Sequence, residues 1–396
     1  MKRSAYRDAR PGELVAYDLP PGPRWAAILA GHAETGASFL PVDHRLTEPE
    51  KRRVLERARP SRLVTPDEEV VFVEGPPVDP DRAWAVVATS GTGGEPKLAE
   101  LGRAALKAAV DGSLAALGAS PDDLWICCMT PAHVGGLLVV LRSVLAGAPL
   151  LVHERFDAGR LLAEAPIGAH VSLVPTMVAR LVATGGDLSR LGVLLVGGAA
   201  LDPSLRTAAA ARGARVVATY GMTETCGGVV YDGVAFAGSR ARIADDGAIE
   251  VHGQTLFDGY RSDPPATAAA FTVDGWLRTG DLGSIEDGRL LVHGRADDAI
   301  RTGAETVWPG EVEGVLATHP KVADVAVAGR PDPDWGRHVA AWILPADPSS
   351  PPTLEELRAL CRVSLAGFKA PRELILVDSL PRTPSGKIRR AHLPPA

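Results

Sequence analysis

The chain has 396 residues and a formal net charge of -6, with 46% hydrophobic and 23% charged residues. These values are ordinary for a globular protein of two or three domains, and the acidic balance gives no reason to expect nucleic acid or membrane lipid as a partner. The first residues lead into Arg and Asp rather than an apolar run, and residues 134–152 are interrupted by Arg142, Gly147 and Pro149. We therefore expect neither a signal peptide nor a membrane span.

Short apolar runs alternate with helical patterns through the first three quarters of the chain. Strand patterns cover residues 124–129, 169–174, 193–196 and 215–219, and helical patterns cover 104–117, 136–145, 176–183 and 204–211. This alternation predicts an α/β fold with mostly parallel sheets layered with helices. The four cysteines show no paired or metal-ligand spacing, so we expect free thiols in the cytoplasm.

The pattern of apolar residues and glycines changes in the last third of the sequence. A β-rich piece is predicted at about residues 235–294. Beyond it, helical patterns at 310–318 and 353–365 and strand patterns at 322–329 and 339–344 predict a compact α+β unit. We expect an N-terminal domain over residues 1–294 and a C-terminal domain over 295–396.

A glycine-rich loop follows the apolar run at residues 84–88. It reads Thr89, Ser90, Gly91, Thr92, Gly93, Gly94, Glu95, Pro96, Lys97. Glycines let backbone N–H groups surround an anion, hydroxyls add donors, and Lys97 adds a point charge suited to phosphate. The loop therefore predicts a polyphosphate site. Pro96 distinguishes it from the common P-loop, in which the lysine opens a helix. The alternative is a flexible surface turn.

Three further motifs carry polar groups with possible roles in nucleotide binding. In residues 220–224, Tyr220 is placed to stack on a purine, Thr223 to bond a phosphate, and Glu224 to hold Mg²⁺. The alternative is a strand end with Thr223 capping a helix. Asp281, after Gly280, can accept both ribose hydroxyls, or it belongs to a hairpin turn. Lys387, near the C-terminus, is either a cation for an α-phosphate or simply solvated.

In order and spacing, these motifs resemble the adenylate-forming superfamily of acyl- and aryl-CoA synthetases, carrier-protein adenylation domains and firefly luciferase. The resemblance extends from about residue 84 to residue 390. It implies that Gly198 and Ala199 precede the adenine pocket, that Arg295 contacts nucleotide, and that the C-terminal domain swings about a hinge at Asp297. It also implies that ATP and Mg²⁺ activate a carboxylate as an acyl-adenylate, with Lys387 and Glu224 as catalytic residues, before the thiol of CoA attacks.

Two residues of one apolar segment indicate which carboxylic acid is the substrate. His133, within residues 129–136, resembles the histidine of the acyl pocket, which gates the site or polarises the carboxylate; the alternative is a core histidine. Arg142 is costly inside so apolar a helix unless it meets an anion or reaches water. This segment and residues 219–233, with Gly221 and Thr225 as substrate contacts, resemble o-succinylbenzoate–CoA ligases, particularly their short actinobacterial form. The resemblance implies a diacid whose second carboxylate meets Arg142; the alternative is a surface-reaching, salt-bridged arginine.

The sequence also departs from the superfamily pattern. Gly93 replaces a second threonine of the loop, Leu98 replaces a glycine, and Ala304 stands where a second glycine is common near the thiol tunnel. The segment before the glycine-rich loop is also short. Open alternatives are a ligase for another acid, an enzyme that loads a carrier protein, and a non-catalytic relative. The expected partners are an acid, ATP and CoA, without nucleic acid or membrane insertion, in a possible homodimer.

Overall fold

The computed structural model describes residues 9–67, 69–71, 75–89, 96–303, 305–382 and 388–395, with the backbone alone at 69 and 71. The described chain divides into two compact units. The first unit consists of two segments, the residues up to Arg242 and Glu250–Arg278. The second unit consists of Ile243–Ile249 and the residues from Thr279 onward. The domain boundary expected at residues 294 and 295 therefore lies inside the second unit. None of the described helices is both long and apolar enough to cross a membrane.

The strands are numbered along the chain as follows. They are β1 (Leu14–Asp18), β2 (Ser38–Val42), β3 (Arg62–Val64), β4 (Glu69–Val71), β5 (Ala85–Thr89), β6 (Lys97–Leu101), β7 (Trp125–Cys127), β8 (Leu150–Val152), β9 (His170–Leu173), β10 (Val193–Val196), β11 (Arg215–Met222), β12 (Gly227–Tyr231), β13 (Val234–Ala235), β14 (Ser239–Ile243), β15 (Ala248–Gly253), β16 (Gly259–Tyr260), β17 (Leu277–Glu286), β18 (Arg289–Arg295), β19 (Ile300–Thr302), β20 (Glu305–Val307), β21 (Val322–Asp332), β22 (Gly336–Pro345) and β23 (Glu373–Leu376).

The helices are numbered in the same way. They are α1 (Arg24–Thr35), α2 (Glu48–Ala58), α3 (Arg103–Leu117), α4 (Val134–Ala146), α5 (Ala158–Glu164), α6 (Pro175–Ala183), α7 (Pro203–Ala210), α8 (Pro264–Ala270), α9 (Pro309–Leu316) and α10 (Leu354–Ser364). Single-turn 3-10 helices cover Thr223–Thr225, Ala296–Asp298, Gly367–Lys369 and Arg390–His392.

The first unit contains two seven-stranded sheets. One has the order β16-β6-β5-β2-β1-β3-β4, and the other has the order β13-β12-β11-β10-β9-β7-β8. In the second sheet, five neighbouring strands from β8 to β11 are parallel, and β12 and β13 add an antiparallel edge. In the first sheet, β6 and β16 form an antiparallel edge. The predicted α/β fold is confirmed, with antiparallel strands at the edges of both sheets.

The predicted helices and strands between residues 104 and 211 are all present, within a few residues of their expected ends. Helix α4 covers the apolar segment and ends at Gly147, whose φ of 77° permits the left-handed C-cap. Strand β11 is longer than expected, because it continues through Tyr220 and Gly221 to Met222. The helix that Thr223 was expected to cap, as the alternative for this motif, is a single 3-10 turn.

The second unit contains a five-stranded sheet in which β20, β19, β22 and β21 follow one another and β23 pairs with β22. Helices α9 and α10 bury Val312, Leu316, Leu357 and Cys361 in its core. Thr353 and Glu356 form a capping box at the start of α10, since each side chain bonds the other's backbone N–H. Strands β17 and β18 pair through Asp281 and Arg295, so the sequence motif around Asp281 lies within a strand. The alternative of a hairpin turn there is wrong, because the chain turns at Asp287 and Gly288.

A neutral histidine is enclosed in the aromatic core of the first unit. His32 has 0% exposure, and its Nδ1 lies 2.9 Å from the carbonyl oxygen of Ala37. Its Nε2 lies 2.7 Å from the hydroxyl of Tyr17. An imidazole that donates at Nδ1 and accepts at Nε2 satisfies both contacts without charge. Burial lowers the pKa of His32 to about 4, although the bond to Ala37 favours the charged form.

We expect this histidine to make the protein less stable in mild acid. The unfolded chain takes up the proton near the ordinary pKa of about 6.5, whereas the folded chain resists it until about pH 4, so stability is lost as the pH falls through that window. Between about pH 7 and about pH 5, the loss amounts to about 2 kcal/mol. Urea unfolding followed by tryptophan fluorescence measures it, with His32→Gln as the control. An equal loss in that variant would assign the effect to other groups.

Candidate active site

The glycine-rich loop connects two antiparallel strands. Thr89 ends β5 and pairs with Lys97, which begins β6. The two ends of the loop therefore lie side by side, where β5 ends and β6 begins. Ser90, Gly91, Thr92, Gly93 and Gly94 lie outside the described residues, so the predicted phosphate contacts of these five residues stay predictions.

Lys97 and Glu224 both contact Tyr260. The ammonium nitrogen of Lys97 lies 4.8 Å from the centroid of the Tyr260 ring, within the range of a cation–π interaction. The hydroxyl of Tyr260 donates to Oε1 of Glu224 at 2.7 Å. Glu224 is 7% exposed, and its backbone oxygen accepts from the N–H of Phe257 at 2.9 Å. The structure therefore joins the ends of two predicted motifs through a residue that the sequence analysis missed.

The donor chemistry at Glu224 fits the predicted magnesium ion. Within the described residues, Oε2 of Glu224 has no hydrogen-bond partner, and carboxylate oxygen is a preferred ligand of this hard cation. No group of three or more described His, Cys, Asp or Glu side chains could hold a metal ion. One carboxylate supplemented by substrate phosphates and water is the usual way in which Mg²⁺ is held beside a nucleotide.

The turn between β11 and β12 is closed by its own residues. The hydroxyl of Thr225, which is fully buried, lies 2.7 Å from the carbonyl oxygen of Gly227 and 2.9 Å from the backbone N of Met222. A Cβ at Gly221 would lie 2.0 Å from that same carbonyl oxygen, so only glycine fits there. Thr225 and Gly221 thus shape the turn that presents Thr223 and Glu224. Their direct contact with substrate stays a prediction.

The predicted adenine-pocket residues follow the strand next to the one that leads into this turn. Gly198 and Ala199 follow β10, whose neighbour β11 is parallel and runs on to Tyr220. Both residues are exposed, and Gly198 has a φ of 81°. A Cβ at Gly197 would lie 2.7 Å from the methyl of Thr219, so the two strand ends approach closely. In open α/β sheets, ligands bind at such carboxyl ends of neighbouring strands.

His133 begins α4 in contact with a charged pair that the sequence analysis missed. Its Nε2 lies 3.2 Å from Oδ2 of Asp43 and 3.3 Å from Nη2 of Arg45. Arg45 donates two hydrogen bonds to the same carboxylate, from Nε at 2.9 Å and from Nη2 at 2.7 Å. Burial alone would raise the pKa of Asp43, but hydrogen bonds from His133 and Arg45 hold it well below its usual range. The alternative of a core histidine is wrong, since the His133 side chain is 42% exposed.

Arg142 lies deep in the first unit, with 1% exposure. Its Nη2 donates to the hydroxyl of Ser113 at 2.7 Å, and its guanidinium carbon lies 4.0 Å from the centroid of the Trp125 ring. Tyr231 also donates to Ser113, at 2.8 Å. Nε and Nη1 of Arg142 have no hydrogen-bond partner among the described residues. The alternative of a surface-reaching, salt-bridged arginine is therefore wrong.

The remaining predicted site residues belong to the second unit. Asp281 and Arg295 face each other across β17 and β18, with Oδ1 and Nη1 3.4 Å apart. Nη1 of Arg295 also donates to the carbonyl oxygen of Thr279 at 3.1 Å. Asp297 lies in the 3-10 helix Ala296–Asp298, where its role as a hinge stays a prediction. Lys387 and Ala304 lie outside the described residues.

Comparisons with known proteins show the family to which the chain belongs. The family profile for the AMP-binding enzyme matches residues 69–260, and that for the AMP-binding enzyme C-terminal domain matches residues 311–387. A probable 2-succinylbenzoate–CoA ligase of Mycobacterium tuberculosis is 41% identical, over 87% of this chain and 93% of its own length. A 2-succinylbenzoate–CoA ligase of Listeria monocytogenes serotype 4b is 33% identical, over 91% and 84%.

Solved structures extend the likeness to the fold. The o-succinylbenzoate CoA synthetase of Bacillus subtilis in complex with its acyl-adenylate intermediate has a TM-score of 0.88 at 26% identity, covering 98% of this chain and 89% of that one. The same enzyme in complex with ATP and a magnesium ion has a TM-score of 0.86 at 26% identity, covering 97% and 90%. The resemblance drawn from the motifs is confirmed, and this chain belongs to the family of AMP-binding enzymes.

Proposed function

We propose that this enzyme is an ATP-dependent acid–CoA ligase that converts 2-succinylbenzoate, ATP and CoA into 2-succinylbenzoyl-CoA, AMP and pyrophosphate. The succinyl carboxylate oxygen attacks the α-phosphorus of ATP and pyrophosphate leaves, which gives an acyl-adenylate. The CoA thiol then attacks the acyl carbon and AMP leaves. The acid carries a second carboxylate, on its aromatic ring, which keeps its charge throughout.

The observation that carries the choice of acid is Arg142. Nε and Nη1 of this buried cation are unpaired within the described residues. Its desolvation is unfavourable, and an anion that reaches the guanidinium would compensate for it. A diacid keeps a second carboxylate available to Arg142 while the first one reacts. A monoacid would leave Nε and Nη1 of Arg142 unpaired among the described residues.

Residues of the first unit supply the groups that the first step requires. Lys97 brings a positive charge to the edge from which the glycine-rich loop leaves the sheet. Glu224 would hold the magnesium ion, which offsets the charge of the triphosphate when bound. Arg45 and Asp43 hold His133 at the N-terminal end of α4. In the second unit, Asp281 offers a carboxylate to the ribose hydroxyls, and Lys387 is assigned to the α-phosphate from its motif alone.

An assay of AMP release with ATP, Mg²⁺ and CoA tests the proposal. The acids are 2-succinylbenzoate, 4-oxo-4-phenylbutanoate (the same molecule without its ring carboxylate) and benzoate. We expect selective turnover of the first. Turnover of another acid would keep the ligase chemistry and reject this substrate. AMP-forming turnover only with a carrier protein, or no pyrophosphate exchange at all, would favour the carrier-loading or the non-catalytic alternative.

A cytoplasmic location and a homodimer also belong to this proposal. All four cysteines are free and buried, and burial raises the pKa of Cys127 to about 11. Thiols of this kind need no oxidising compartment. Sedimentation velocity of the purified enzyme measures the oligomeric state.

A further inference from the structure

Tyr260 lies between two groups of opposite charge that would otherwise attract each other. Its ring contacts the ammonium of Lys97, and its hydroxyl donates to the carboxylate of Glu224. Among the described residues, Lys97 forms no ion pair within 4.0 Å, with Glu224 or with any other carboxylate. We propose that Tyr260 is a positioning residue, which holds Lys97 and Glu224 apart and aims them separately at phosphate and magnesium. This inference rests on the proposed function.

The local backbone fixes the position of the tyrosine. Tyr260 lies on the short strand β16 and pairs with Ala99 of β6, two residues after Lys97. The N–H of Tyr260 donates to the hydroxyl of Thr267 at 2.8 Å. The next residue, Arg261, is 5% exposed, and its Nε donates to the carbonyl oxygen of Ala58 at 2.8 Å. These bonds hold both sides of Tyr260, so its ring is placed by the sheet rather than by Lys97 or Glu224.

The two contacts act differently on the two charged groups. A hydrogen bond from a hydroxyl orients a carboxylate and occupies one oxygen, without neutralising its charge. Oε2 of Glu224, which has no partner in the described part of the chain, remains for a cation. The face of an aromatic ring likewise attracts an ammonium group while leaving its charge available to phosphate. In a direct ion pair, Lys97 and Glu224 would neutralise each other, and their charges would no longer be available to phosphate and magnesium.

The test is the equilibrium binding of α,β-methylene-ATP, measured by calorimetry with Mg²⁺ and with EDTA. The full-length wild type is compared with Tyr260→Phe and Tyr260→Leu. Tyr260→Phe keeps the ring and loses the hydroxyl, so we expect the gain in affinity caused by Mg²⁺ to fall about tenfold, with little change in EDTA. Tyr260→Leu also loses the ring, so we expect its affinity in EDTA to fall by about threefold or more.

Two controls separate positioning from a general loss of structure. Tyr17→Phe removes the hydroxyl of a different tyrosine, which is buried and contacts His32, and should leave both affinities unchanged. In the Glu224→Gln background, Tyr260→Phe should cause no further loss of the magnesium gain, because the two residues act through one contact. Additive losses in that double variant would overturn the inference.

Other outcomes are equally decisive. Losses of equal size in Mg²⁺ and in EDTA for Tyr260→Phe, or no loss in either, would show that the tyrosine hydroxyl does not position a magnesium ligand. If Mg²⁺ does not strengthen nucleotide binding by the wild type, the proposed function fails together with this inference. A normal magnesium gain in the wild type that persists in Tyr260→Phe would reject the inference alone.

Discussion

Arg142→Met is expected to lower kcat/KM for 2-succinylbenzoate about a hundredfold, and to change it by no more than about threefold for 4-oxo-4-phenylbutanoate. A hydrogen-bonded pair of buried charges contributes about 1.5–3 kcal/mol, and each 1.4 kcal/mol corresponds to about tenfold. Only the first acid has a carboxylate for the guanidinium. Steady-state kinetics with the two acids measures the difference, which should appear mainly in KM.

The same substitution should leave the fold intact. Replacing a buried, incompletely paired charge by an apolar side chain of similar length is often neutral or stabilising. Ser113→Ala is the matched control, because it removes the partner of Nη2 but keeps the cation. We expect that variant to retain its preference for the diacid. Equal losses with both acids in Arg142→Met would mean that Arg142 serves packing against Trp125 rather than substrate recognition.

Helices and strands with strong local patterns could be predicted from the sequence. Helix α4 is an example, because a mostly apolar run ends at a glycine with the left-handed geometry that stops helices. Lys97, at the end of the glycine-rich loop, and Glu224 were also named as candidates, because glycines, hydroxyls and a carboxylate after a strand are typical of nucleotide sites. Arg142 was marked by the cost of a cation in an apolar helix.

The contacts that complete the site had no local signal. Tyr260 and Glu224 are 36 residues apart, and Asp43 lies 90 residues before His133. Strand β16 has only two residues, and its place depends on pairing with β6, which no periodicity of its own can reveal. Asp43 and Arg45 do follow a buried strand, β2, and that position at a carboxyl end was the available clue.

Lys387→Ala is expected to lower the rate of adenylate formation about a thousandfold, while thioester formation from supplied acyl-adenylate and CoA changes little. Removing one group that stabilises developing charge in a transition state typically costs 10²–10³ in rate, and a lysine at the α-phosphate acts only in the first step. Pyrophosphate exchange measures the first step, and CoA thioester formation from synthetic acyl-adenylate measures the second.

The described residues on either side of Lys387 are anchored to the second unit. Arg382 and Ile388 form a β-bridge, and Arg382 donates to the carboxylate of Asp324. These contacts fix the residues on both sides of Lys387. Arg390 secures the other side through Glu313 and through Asp298, next to the proposed hinge at Asp297.

The control for Lys387→Ala is another lysine of the same unit. Lys321 pairs with Glu356 at 2.8 Å, and Lys321→Ala removes a positive charge without touching the segment that contains Lys387. We expect both half-reactions of that variant to be unchanged, since a partly exposed ion pair contributes about 1 kcal/mol or less to stability. If Lys387→Ala slows both half-reactions equally, the lysine does not act on the α-phosphate alone, and the two steps share a single arrangement of the second unit.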